Sequence, residues 1–284
     1  MYIRLVNFLF NLPLSNHISG FIKKKLIKND NFYFIPTKKS KLPKNNYPIQ
    51  NSIQLQRKII ENYYKNNQLS FNTFPHLKFI LKKKFKPEAQ FNFLDFGGEN
   101  LDLYLDITKK FKNINYFLIN LPKVNQIISQ IKNENNYNNL IIINSIDEIK
   151  NYNYDFVFFG SCIQYINNYD NIIKKILPNT KKHILFSATQ FFNGNNLIKD
   201  IVVKQLNYMP KLYYLYFINL DFFIKLFKED NFKIEFNEKN ETSNFNMDTF
   251  KFLNIKNIKN SNILFTRKDW LDWTGQCFTL VILT

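Results

Sequence analysis

From residue 91 onward, short apolar runs alternate with stretches in which apolar residues recur every three or four positions. Phe91–Phe96, Tyr116–Leu121, Leu140–Ile143, Phe156–Phe159 and Ile184–Phe186 are runs of strand length. Between them, Leu101, Tyr104, Leu105 and Phe111 fall on one helical face, as do Ile127, Ile128 and Ile131. A third helical set, Ile172, Ile173, Ile176 and Leu177, runs up to Pro178. Asn100 is the expected N-cap of the first helix, and the low-complexity Asn133–Asn139 reads as a loop. Strands that alternate with helices at this pitch predict a parallel, doubly wound α/β sheet. Beyond it, Leu212–Lys228 reads as helical, and Phe232–Phe236 and Asn262–Phe265 are candidates to close the sheet. Residues 1–88 lack the alternation. With helix candidates at Ile53–Tyr64 and Leu77–Phe85, they read as a helical N-terminal extension to a domain spanning 89–268, followed by an atypical tail, 269–284.

Composition changes this picture in one respect. The chain has 284 residues, 45% of them hydrophobic and 17% aromatic, which is enough to build a core and excludes disorder as the dominant state. Two cysteines, Cys162 and Cys277, exclude a disulfide scaffold. The net charge is +17, yet only three of 39 basic residues are Arg. Asn, Lys and Ile together form about 40% of the chain, so a compositional bias explains the charge more simply than a polyanionic ligand does. A nucleic-acid reader would favour the planar, bidentate guanidinium; nucleic acid is therefore not the expected partner. No apolar stretch is long enough to span a membrane. The segment Met1–Leu26, which mixes apolar residues with Asn and runs into Lys23–Lys25, suits packing on the main domain or a peripheral membrane contact.

In so biased a chain the scarce residue is informative. There are six glycines, and Gly97 and Gly98 stand together directly after the run Leu94-Asp95-Phe96. A strand ending in an acid, a tight glycine turn and a helix N-terminus suit an adenine nucleoside ligand. A second run, Tyr154-Asp155-Phe156-Val157-Phe158-Phe159-Gly160-Ser161-Cys162-Ile163-Gln164-Tyr165-Ile166, places an acid before a buried strand and a Gly-Ser turn after it.

On these two motifs the sequence resembles the class I S-adenosylmethionine-dependent methyltransferases. More narrowly, it looks like the methyltransferases found among bacterial surface-polysaccharide biosynthesis genes. The resemblance covers roughly residues 50 to 268 and takes in Leu121-Pro122, Phe191, Tyr213–Phe227 and Ile263–Lys268. It implies a Rossmann-like sheet, S-adenosylmethionine as cofactor, and a sugar or glycan precursor as acceptor, in the cytoplasm or peripherally at the inner membrane surface. It also implies roles for particular residues. Asp95, Gly97 and Gly98 would line the turn near the methionine half of the cofactor, and Asn120 would stand at the ribose-binding position. Ser145 and Ile146 would lie beside the adenine. Ser161, Gln164 and Tyr165 would face the methyl group and the acceptor, with the last two as positioning residues and no general base identified.

The chain departs from the family pattern at four places. Glu99 and Leu101 replace glycines, Asn120 replaces an acid, and Ser187-Ala188-Thr189-Gln190 replaces a segment that usually offers Arg-Thr-Pro. These departures keep a second expectation open: a degenerate binding or scaffold protein of the same fold. An RNA methyltransferase is a third. His17, His76 and His183 and the two cysteines have no spacing suited to metal, and Cys162 reads as a small buried hydrophobe. Tyr213, Tyr214, Tyr216 and Phe217 read as part of a core or lid helix. The tail Trp270–Thr284 holds both tryptophans and no Asn; an added edge strand and a segment of foreign origin both fit it.

Overall fold

The protein is represented by a computed structural model that describes residues 34–36, 51–66, 74–194, 197–205, 213–239, 255 and 257–270. Met1–Leu26 and the tail beyond Trp270 lie outside the described residues.

The described segments of the first 88 residues comprise a short strand β1 (Phe34–Pro36) and two helices, α1 (Ile53–Asn66) and α2 (Pro75–Lys84). The alternating part then runs β2 (Phe91–Phe96), α3 (Asp102–Lys110), β3 (Ile114–Ile119), α4 (Pro122–Asn135), β4 (Leu140–Ile143), β5 (Tyr154–Gly160), α5 (Tyr169–Ile176) and β6 (Thr180–Asn193). After it come β7 (Asp200–Gln205), β8 (Tyr213–Asn219), α6 (Leu220–Lys228), β9 (Phe232–Lys239) and β10 (Asn257–Arg267).

The parallel strands lie in the order β4-β3-β2-β5-β6, and the antiparallel β10 and β9 extend the sheet beyond β6. The period of two along each strand sends alternate side chains to opposite faces. Phe91 and Phe93 of β2 and Phe156 and Phe158 of β5 pack on one face with Ile60, Leu77, Tyr104 and Ile128 from α1 to α4. Leu94 and Phe96, and Val157 and Phe159, pack on the other with Tyr169, Ile173, Phe223 and Phe227 from α5 and α6. This is the doubly wound α/β sheet that the strand–helix alternation predicts. No helix among the described residues is long and apolar enough to cross a membrane.

Three local expectations are corrected. Tyr213–Asn219 is a strand, not the start of a helix; its register against Asp200–Gln205 supplies backbone partners that the local sequence does not reveal. The helix begins only at Leu220, where Asn219 caps it by accepting from the Asp221 amide. The Asn-rich stretch is helical as far as Asn135, and Asn136 in the left-handed conformation ends it. Finally, Asn100 is not an N-cap: α3 starts one residue later than that position requires, and the Asn100 side chain instead accepts from Gln56.

Candidate functional site

The carboxyl ends of β4, β3, β2 and β5 open into one cleft of about 750 Å³, the place where parallel α/β sheets gather ligands. Its centre is the turn after β2. Gly97 takes φ +83°, a conformation that an L side chain rarely adopts, and its amide donates to the Ile119 carbonyl at 2.8 Å. A Cβ there would also meet Cys162 Cβ at 2.8 Å. At Gly98 a Cβ would collide with the Asp95 carboxylate, so this position has no room for a side chain.

Asp95 itself is almost fully buried, and its Oδ2 accepts from Tyr116 Oη at 2.7 Å. Burial pushes its carboxyl up to about 7, opposed by the Tyr116 hydrogen bond and helped slightly by Asp102. Asp102, also on the cleft, has its carboxyl raised, chiefly by burial, although its Oδ1 accepts from the Leu103 amide at 2.8 Å. With Glu99, three carboxylate residues line the cleft of a chain whose net charge is +17.

Asn120 lines the cleft, but its amide is engaged on both sides. Nδ2 donates to the Gly98 carbonyl at 2.8 Å, and Oδ1 accepts from the Leu121 amide at 2.6 Å. Asn125 continues the tie: it accepts from the Asn120 amide at 3.0 Å and donates to the Ile143 carbonyl at 2.8 Å. The two asparagines thereby lace together the ends of β2, β3 and β4. Ser145 and Ile146, after β4, lie on the far wall of the cleft.

At the other end stand Ser161, Cys162 and Tyr165. Ser161 has φ +53°, and its amide donates to the Ser187 carbonyl at 2.9 Å. Gln164 is fully buried and is not among the residues lining the cleft. It stands behind Ser161, donating from Nε2 to Ser161 Oγ at 3.1 Å and to the Ala188 carbonyl at 3.4 Å. Because that Oγ already accepts from Gln164, the hydroxyl proton of Ser161 remains available to a ligand. Cys162 Sγ donates to the Phe96 carbonyl at 3.0 Å, and burial pushes its thiol well above the usual range, so it is a neutral packing group.

Sequence reasoning missed Gln56 and Asn51. Gln56 Nε2 donates to Asn51 Oδ1 (2.8 Å), Asn100 Oδ1 (3.2 Å) and the Glu99 carbonyl (3.3 Å), while its Oε1 accepts from the Leu101 amide at 3.1 Å. Asn51 Nδ2 reaches the same Glu99 carbonyl at 2.6 Å. The turn that carries Glu99 is therefore held by α1, across more than forty residues of sequence. No local signal marks one amide side chain among so many.

No protein-family model and no curated protein matches the chain. Among solved structures, it is similar to a candidate sarcosine dimethylglycine methyltransferase from Galdieria sulphuraria, with TM-score 0.50 and 13% identity over 70% of this chain and 87% of that one. It is also similar to an S-adenosylmethionine-dependent methyltransferase from Clostridium acetobutylicum (TM-score 0.47, 11% identity, covering 76% and 99%). A third is the 1,6-didemethyltoxoflavin-N1-methyltransferase of Burkholderia thailandensis, with TM-score 0.46 and 12% identity, covering 85% and 97%. At this identity the likeness to the first establishes the fold alone, and that fold is the Rossmann-like fold of the class I methyltransferases.

Proposed function

We propose that the protein is an S-adenosylmethionine-dependent methyltransferase acting on a hydroxyl or amine of a small molecule. The observation that carries the reading is the turn at Gly97–Gly98, closed to any Cβ, beside a buried carboxylate at the centre of the cleft. Two features support the fit of the cofactor: a glycine cradle that admits close backbone approach, and carboxylates that suit a ligand carrying sulfonium and ammonium charges. S-adenosylmethionine, when bound, supplies an electrophilic methyl for in-line displacement by an acceptor oxygen or nitrogen.

In this reading Asp95, Gly97 and Gly98 hold the methionine half, Asn120 stands at the ribose, and Ser145 and Ile146 flank the adenine. Ser161 donates its hydroxyl proton toward the methyl or acceptor end. Gln164 acts through Ser161 as a positioning residue, and Tyr165 forms part of the acceptor wall. Rate acceleration comes mainly from orientation of the two reactants and exclusion of water. The resemblance in sequence suggests a sugar of a glycan precursor as acceptor.

A degenerate binding or scaffold protein of the same fold, without turnover, is the second reading. It is favoured by the Asn120 amide, which already donates to the Gly98 carbonyl and accepts from the Leu121 amide and lacks the charge of a strong ribose clamp. Isothermal titration with S-adenosylmethionine, followed by a methyl-transfer assay, tests both. Binding that Asp95→Ala weakens, together with turnover, supports the enzyme and defeats the second reading; no binding at high micromolar cofactor defeats the enzyme and supports the degenerate scaffold.

A further inference from the structure

The cleft is chemically divided. Asp95, Glu99 and Asp102 gather at the turn after β2 and the start of α3, while the end beyond β5 presents rings and aliphatic groups. There Phe74 enters from the chain just ahead of α2, outside the alternating part of the sequence. Its ring meets that of Phe158 edge-on, with centroids 5.1 Å apart at 78°. Phe158 is buried beneath it, so Phe74 is the ring that faces the space. Tyr165 and Ile166 line the same end, and a Cβ on Gly160 would lie 3.1 Å from Phe74 Cζ, which fixes this ring at the mouth of β5. The adenine-side residues, Ser145 and Ile146, follow β4 at the opposite limit of the strand order.

Resting on the methyltransferase reading above, but departing from the glycan-precursor sugar that the sequence resemblance suggests, we infer that the acceptor is a planar, uncharged aromatic ring bearing a hydroxyl or amine, seated between Phe74 and Tyr165, and not a phosphorylated sugar. Aromatic side chains bind flat rings through stacked and edge-on contacts and gain large apolar area from a rigid partner. Ser161, whose Oγ already accepts from Gln164, donates its proton to the polar substituent of that ring. A diphosphate or nucleotide sugar would bring two or more negative charges into a cleft lined by three acidic residues and, among the described residues, by no basic one.

The test uses the full chain saturated with S-adenosylhomocysteine and titrated with 2-naphthol or with uridine diphosphate glucose, two probes of opposite character. The expected result is 2-naphthol binding at or below about 1 mM, weakened about tenfold by Phe74→Leu, the size of one ring-on-ring contact. That variant keeps an apolar side chain over Phe158, and its S-adenosylhomocysteine affinity should match that of the wild type. Failure of 2-naphthol to bind, indifference to Phe74→Leu, or stronger binding of the nucleotide sugar overturns the inference alone. Failure of S-adenosylhomocysteine to bind defeats the methyltransferase reading and this inference with it.

Discussion

Asp95 makes a stability prediction that is independent of any assigned activity. Its carboxyl titrates near 7 in the folded protein against 3.8 for an ordinary aspartate, because burial penalises the charged form more than Tyr116 stabilises it. Between those two values the folded state keeps a proton that the unfolded chain has released. Stability is therefore greatest below pH 4 as far as this group is concerned, falls through the window, and levels off above pH 7. At about 1.4 kcal/mol per pH unit, the loss across the window is of order 4 kcal/mol. Asp95→Asn keeps an acceptor for the Tyr116 hydroxyl and removes the titration. Urea unfolding of both proteins at half-unit steps from pH 4.5 to 8 should show the variant gaining on the wild type as pH rises, by several kcal/mol in total. A difference that stays flat across the range would refute the buried, proton-holding carboxyl. The same group predicts proton release on cofactor binding near pH 7, readable by calorimetry in buffers of different ionisation enthalpy, since a nearby cation lowers a carboxyl pKa.

Other perturbations reach different parts of the frame. Gly98→Ala drives a methyl group into the Asp95 carboxylate, and S-adenosylhomocysteine affinity should fall by at least about tenfold, which titration calorimetry would read directly. Gln56→Leu removes a side chain that spans Asn51, Asn100 and the Glu99–Leu101 backbone; a loss of about 1–3 kcal/mol in denaturant unfolding is expected. His183 is held down to about 4, mainly by burial, and shares a hydrogen bond with Thr266 Oγ1 at 2.9 Å. Its neutral form is favoured in the fold, so stability is lost as pH falls from 6.5 toward 4, by about 3 kcal/mol. His183→Gln should flatten that acid limb, and an unchanged limb in the variant would show that the histidine is not its source.

The parallel sheet was readable in the sequence because each buried strand is a compact apolar run and each glycine turn stands out where glycine is scarce. Gly97 and Gly98 belong to the cleft for the reason their rarity suggested. What escaped depends on distant partners. Tyr213–Asn219 carries no period of two that separates it from a helix, and it is a strand because Asp200–Gln205 lies beside it. Gln56 is indistinguishable locally from any other amide, and it matters only because folding brings α1 over the turn at Glu99. Gln164 sits in the expected motif but points behind Ser161, since the turn after β5 buries it against Ala188. The Ala188 backbone there is left-handed, with its amide donating to Asn262 Oδ1, a conformation no local pattern announces.

The hairpin of β7 and β8 joins β6 through two residue pairs, Phe191 with Ile218 and Phe192 with Asn219, beyond the point where β5 ends. It carries a small hydrophobic cluster of its own, in which Phe192, Ile201, Val203, Leu215 and Phe217 meet Tyr165 from the cleft wall. The hairpin is thereby set apart from the strand ends that carry the glycine turn. Substitutions in the hairpin can reshape the Tyr165 wall of the cleft while the strand ends that carry Asp95, Asn120 and Ser145 stay untouched. One end of the cleft can therefore be recut through the hairpin while the other keeps its shape, and hairpin exchange is the corresponding route for altering it.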